Sequence, residues 1–103
     1  ETALLKSESL SPMRSSHVFA IVNEALANTV RHAQAKNVEI RASNLGSQLQ
    51  IEISDDGVGI PLEPQAGYGL RNMRDRARLL NGDLQFTNNK GTTVTLTIPW
   101  IDQ

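Results

Sequence analysis

A two-layer α/β sandwich, with two helices laid on one face of a mixed, mostly antiparallel sheet, is the fold class this sequence predicts. Three observations lead to it. Two segments carry apolar residues at helical spacing, and four short segments alternate apolar with polar residues. Each of the six therefore has one apolar face, and a single two-layer arrangement buries all of them. A chain of 103 residues is large enough for one such core, burying roughly 60–70% of its unfolded surface.

Taken in order, residues 1–15 lack an initiator methionine and mix a short apolar patch with serine and proline. They read as a linker or first edge strand, leaving one domain over 16–103 as a piece of a larger protein. From Ser16 to about Gln34, Val18, Val22, Ala25, Leu26, Thr29 and Ala33 recur at helical spacing, with Ser15 or Ser16 as N-cap. Val38, Ile40 and Ala42, a turn around Asn44 to Ser47, and Leu49, Ile51 and Ile53 follow as a hairpin with one buried face. "SDDGVGIP" (54–61) comes next, and Asp-Gly after an alternating run is a strong hairpin signal. No strand returns at once, however; a loop from Gly57 to Gly69 intervenes, long enough to suggest a functional role. A second helix carries Leu70, Met73, Ala77 and Leu80 on one stripe and arginines elsewhere, and ends at Asn81-Gly82. Leu84 and Phe86, then Val94, Leu96 and Ile98, make a second hairpin closed by Pro99; Trp100 and Ile101 beyond it read as a core plug or an interdomain contact.

Composition narrows the function. Ten basic against eleven acidic residues leave a net charge of −1, so no broad field recruits nucleic acid or an anionic membrane, and phosphate binding has to be local. Aromatics, at 4%, are too few for a single-stranded nucleic-acid platform. The absence of cysteine excludes disulfides, thiolate nucleophiles and cysteine-based zinc sites and fits a reducing, cytoplasmic setting. No apolar run approaches the ~20 residues of a bilayer span.

Besides the Asp-Gly stretch at 54–61, two clusters carry chemistry. On the first helix Glu24, Asn28, Arg31 and His32 stand at i, i+4, i+7 and i+8 on one face, nearly opposite Val22 and Leu26. Carboxylate and amide oxygens suit Mg²⁺ or its waters, while arginine and histidine suit phosphate oxygens. A solvated helix face is the plainer account, although asparagine is a poor helix-interior residue. "GYGL" (67–70) brings two glycines to the start of the second helix, where backbone N–H groups form an anion site. It lacks the third glycine and preceding strand of a dinucleotide fingerprint, and neither a P-loop nor a Gly-x-Ser-x-Gly elbow occurs. His17, alone near a helix start, is assigned no role.

In order, "NEALANTVRHAQA", "DDGVGIP", "GYGLRNMRDRARLLNG" and "GTTVTLTIP" resemble the N, G1 and G2 boxes of the ATP-binding (Bergerat-type) fold of gyrase, heat-shock chaperones, histidine kinases and MutL, over about residues 16–99. Within it, the short lid and "GLRNMRDRARLLNG" resemble the NarX/DegS-like class of bacterial sensor histidine kinases. The resemblance implies ATP and Mg²⁺ as cofactors. Asn28 would ligate the metal, Glu24 would lie beside it or its waters, Arg31 would contact phosphate, and His32 would lie near ribose or phosphate. Asp55 would accept from the adenine amine while Gly57 and Gly59 give the base room. Gly67, Gly69 and Leu70 would supply the lid turn and backbone N–H groups, and Thr92 would lie beneath the base. Asp56 is the aspartate not expected to touch nucleotide. No phosphoacceptor histidine box is found, so the implied partners are a histidine-bearing dimerisation domain of the same kinase, homodimeric as a whole and compatible with an inner-membrane anchor, and a downstream response regulator. An ATP hydrolase with Glu24 activating water, a serine kinase of the same fold, and an interaction domain that has lost nucleotide binding are the alternatives.

Overall fold

The computed structural model describes residues 10–30, 35–58, 69–88 and 90–100. The first helix, α1 (Pro12–Asn28), begins a full turn before the apolar periodicity predicts. Ser11 is its N-cap, accepting from the Arg14 amide at 3.3 Å, and Pro12 opens it with φ already set for a helix. Residues 12–15 are therefore helix rather than linker or edge strand, and Leu10 already packs on the core. Residues 1–9 lie outside the described residues.

The buried side of α1 is also rotated from the expected one. Ile21 and Ala25 face the core together with Arg14 and Asn28, both 3% exposed, whereas Val18, Val22 and Leu26 are half-buried. Arg14, which the sequence reading leaves in the linker or edge strand, is buried in α1, and its Nη2 donates to the carbonyls of Leu80 (3.3 Å) and Pro99. A buried guanidinium needs such acceptors, and here it ties the start of α1 to the ends of the second helix and the last strand.

The sheet contains β1 (Val38–Asn44), β2 (Gln48–Asp55), β3 (Asp83–Asn88) and β4 (Thr92–Pro99) in the order β1-β2-β4-β3. Among the described residues every pairing is antiparallel, so the sheet is not mixed there. Register lines up apolar rows on one face, with Ile40, Ile53, Val94 and Phe86 in one and Ala42, Ile51, Leu96 and Leu84 in the next. The opposite face is polar: Ser54 and Thr93 hydroxyls meet at 3.1 Å, and Gln50 Nε2 donates to Thr97 Oγ1 at 3.3 Å. The expected buried face of the first hairpin is complete only on β2. On edge strand β1, Val38 and Ile40 are 44% and 50% exposed, because both helices lie toward the other strands.

The second helix, α2 (Leu70–Leu79), buries Leu70, Met73 and Ala77 against the sheet, with Leu80 just beyond its end, as its stripe predicts. It stops where Asn81 adopts φ 54. The Gly82 amide donates to Ala77 O at 2.8 Å and the Asn81 amide to Arg78 O at 3.0 Å, the paired bonds of a Schellman cap. Trp100, 5% exposed, closes the core, and its Nε1 donates to Asn44 Oδ1 at 3.2 Å. Of the two roles expected for it, core plug is the one observed; Ile101 is outside the described residues.

Candidate functional site

Three chain segments end at the same corner of the sandwich. Past Asn28 the backbone of α1 widens into a π-type turn at residues 29–30, a distortion frequent at functional sites. There β2 runs out at Asp55, and the β3–β4 connection passes over it through Gly91 and Thr92. A pocket opens between them, lined by Ala25, Asn28, Thr29, Ile53, Asp55, Thr92 and Val94. Ala25, Ile53 and Val94 give it apolar walls, and of its four polar residues Asn28, Thr29 and Thr92 are themselves buried.

Asp55 is the hub. Its Oδ1 accepts from the amides of Gly57 (2.8 Å) and Thr92 (3.2 Å), and its Oδ2 from Thr29 Oγ1 (3.2 Å). The Thr29 hydroxyl has one proton and a second acceptor, Ala25 O, also at 3.2 Å, so that proton is shared between helix backbone and carboxylate. Three donors fix the carboxylate, and a carboxylate offers about four acceptor positions, which leaves capacity for an amine in the pocket. The backbone over Asp55 requires glycine at position 91: φ is +124°, and a Cβ there would overlap Asp55 O and stand 2.9 Å from its carbonyl carbon.

Asp56, the neighbouring aspartate, does different work. Its exposed carboxylate accepts from the amides of Lys36 (2.8 Å) and Asn37 (2.9 Å) and from Asn37 Nδ2 (2.9 Å). Donation from the Asn37 backbone, then from its side chain, holds the carboxyl below its ordinary pKa. It staples the entry of β1 to the exit of β2 and does not line the pocket.

The remaining sequence-predicted residues divide. Asn28 lines the pocket from α1, and Thr92 is buried at its edge with Oγ1 donating to Asn88 Oδ1 at 3.0 Å. Gly57 contributes its amide to Asp55, while Leu70 is core, 2% exposed, so only its backbone faces the helix start. Gly69 caps α2 in the left-handed region at φ +71°, without a side-chain cap bond. Glu24 lies against it: a Cβ at position 69 would stand 2.5 Å from the Glu24 carboxyl. Glu24 is thus set beside the first turn of α2. Arg31, His32, Gly59 and Gly67 lie outside the described residues. Among the described residues no cluster of three or more histidines, cysteines or acids gathers to hold a metal. Mg²⁺ fits nonetheless as a phosphate-borne ion, since it keeps waters and takes only one or two protein oxygens, and Asn28 and Glu24 are one turn apart on α1.

Sequence reasoning missed Thr29, counted as part of the apolar stripe, and Gly91. The signal for both was adjacency: a hydroxyl directly after Asn28, and a glycine directly before Thr92. His17, given no role, meets Arg76 Nη1 through its Nδ1 at 3.0 Å, a contact in which the guanidinium can only donate.

Residues 13–101 match the family described as "Histidine kinase-, DNA gyrase B-, and HSP90-like ATPase". The chain belongs to that family. It is 42% identical over 100 residues to the sensor protein NarQ homolog of Haemophilus influenzae, covering 92% of this chain and 18% of that protein. The fold is shared with the blue-light activated histidine kinase EL346 of Erythrobacter litoralis, at a TM-score of 0.77 and 28% identity over 88% of this chain and 32% of that one. It is shared too with the ATP-binding domain of PrrB from Mycobacterium tuberculosis, at 0.71 and 26%, covering 82% and 67% respectively. The chain spans about a fifth to a quarter of the length of curated relatives it matches, themselves named a sensor protein, a sensor histidine kinase and a signal transduction histidine-protein kinase/phosphatase. Its family domain is the catalytic, ATP-binding part of such kinases. Among the described residues no helix is long and apolar enough to cross a membrane.

Proposed function

We propose that this domain binds Mg-ATP and presents the γ-phosphate to a histidine on a helical dimerisation domain of a cytoplasmic-facing sensor kinase, which then signals through a response regulator. The observation that carries this reading is the Asp55 carboxylate, held by Thr29, Gly57 and Thr92 in a pocket that it lines together with Ala25, Ile53 and Val94. Ala25, Ile53 and Val94 offer apolar contact to the faces of a planar base. Asp55, whose orientation its three donors set, accepts from an exocyclic amine, which adenine has and guanine lacks at the corresponding position.

Bound nucleotide brings the metal as Mg²⁺, whose chemistry there is neutralisation of phosphate charge. Asn28 would hold it through its amide oxygen, and Glu24 would order a metal-bound water. Arg31 and His32 are proposed to contact phosphate or ribose, with Gly59 giving the base room. Gly67 and Gly69 bring lid and helix-start N–H groups to the phosphate chain. Phosphoryl transfer demands mainly positioning and charge neutralisation, and these residues supply both while the acceptor imidazole comes from the partner domain.

Thermal unfolding tests the proposal. Ligand at ~100 times Kd adds about 2.7 kcal/mol, a rise of roughly 10–20 °C in Tm for a domain of this size. Mg-ATP is expected to give such a shift and Mg-GTP much less. Asp55→Asn, compared with its own ligand-free baseline, is expected to lose most of it, and Asn28→Ala mainly its Mg²⁺ dependence. A shift below about 1 °C with saturating Mg-ATP refutes nucleotide binding.

A further inference from the structure

α2 has a second face that the nucleotide reading does not use. Its ten residues include Arg71, Arg74, Arg76 and Arg78 against Asp75 alone, a local charge of +3. The whole chain carries −1, so everything outside this helix sums to −4. Arg76 turns inward to His17. Arg71, Arg74 and Arg78 stand at i, i+3 and i+7, which places them on one outward stripe about 10 Å long, and all three are exposed.

Little in the described residues balances this stripe. Arg78 pairs with Asp75 at 3.4 Å in an exposed i,i+3 contact, of the kind that contributes little to stability. Arg74 lies over the Phe86 ring, 4.9 Å from its centroid, which restricts its rotamers before any partner arrives. Leu79, 66% exposed, lies about 100° round the helix from Arg78 and so borders the outward face on the far side of Asp75.

Residue type points to a protein partner. A merely solvated helix face is well served by lysine, yet all four cations here are arginine, whose planar fork pairs bidentately with carboxylates. Arginine beside an exposed leucine and a ring-stacked neighbour matches the make-up of interface cores, from which lysine is depleted. The stripe is short, and the net-negative remainder of the chain opposes long polyanions such as nucleic acid or an anionic bilayer.

We propose that the outward face of α2, Arg71, Arg74 and Arg78 with Leu79 at its flank, docks an acidic helical segment of a partner protein through guanidinium–carboxylate pairs. A synthetic helical peptide with glutamates at i, i+3 and i+7 and one leucine is the probe, titrated into the protein at low ionic strength with amide chemical shifts as readout. The peptide is expected to shift α2 resonances, and its glutamine counterpart is not. Arg71→Gln/Arg74→Gln/Arg78→Gln is expected to lose about tenfold or more in affinity, and the corresponding triple lysine variant a smaller factor. Arg71→Gln/Arg78→Gln keeps the Arg74–Phe86 stack and serves if the triple variant does not fold, with a loss of a few-fold expected. Equal binding of the two peptides, undiminished binding by the variants, or tighter binding of a single-stranded oligonucleotide or an anionic vesicle overturns the proposal.

Discussion

Replacing Gly91 with alanine tests how the pocket is built, and Gly46 supplies the control. Both glycines have positive φ, +124° at Gly91 and +89° at Gly46. A Cβ at position 46 meets nothing within 4 Å, whereas at position 91 it overlaps Asp55 O. Gly46→Ala therefore costs backbone strain alone, about 1–2 kcal/mol. Gly91→Ala adds the displacement of the β2 end or the β3–β4 turn, which overpacking data place at about 1–3 kcal/mol more. With Tm moving about 4–8 °C per kcal/mol in a domain of this size, Gly46→Ala is expected to lower Tm by roughly 5–15 °C and Gly91→Ala by roughly 10–40 °C. The decisive readout is binding of Mg-ATP by titration calorimetry below both melting points. Gly91→Ala pushes on the residue that carries the Asp55 carboxylate and is expected to weaken binding at least tenfold, while Gly46→Ala leaves it unchanged. Equal affinities in the two variants would refute the placement of Asp55 at the heart of the pocket.

Other consequences are as specific. Thr29→Val keeps the shape and removes one donor from Asp55; a stability loss of about 1 kcal/mol and a several-fold weaker nucleotide affinity are expected in denaturant titration and calorimetry. Arg14→Met strips the Leu80 and Pro99 carbonyls of a buried charged donor, and urea unfolding is expected to show a loss of about 2–4 kcal/mol with nucleotide contacts untouched. For Asp56 the folded pKa lies below the unfolded one, so its contribution is complete above the ordinary carboxylate range and disappears as pH falls through the folded value. The gap in urea midpoint between the native chain and Asp56→Asn should thus be flat at neutral pH and close below about pH 4; a gap that widens with acid contradicts the staple.

The fold was legible wherever a face is buried by apolar side chains alone. The α2 stripe of Leu70, Met73, Ala77 and Leu80 and the alternation of β2 and β4 place their residues as read from the sequence. Legibility failed where tertiary partners bury a polar group. Arg14 and Asn28 occupy the core side of α1; a count of apolar spacing puts Asn28 on the polar row and leaves Arg14 out of the helix, so it rotates the helix and starts it late. Ser11-Pro12 carried the true start, a cap followed by the one residue whose φ is preset. In the site, choosing Asp55 over Asp56 rested on motif position, and the hydrogen bonds give each a separate role. The donors that orient Asp55 were invisible because they lie far along the chain, Thr29 at a separation of 26 residues and Thr92 at 37.

That separation gives the pocket two reporters of its own. The amides of Gly57 and Thr92 both donate to the same carboxylate oxygen, and Thr92 reaches it only through the pairing of β4 with β2. Deuterium uptake at Thr92 therefore clocks the opening of the corner where three distant stretches of chain meet. Uptake at Gly57 clocks the same carboxylate from within its own turn. A molecule seated in the pocket should slow both amides together, and unzipping of the hairpin alone should free Thr92 while Gly57 stays protected.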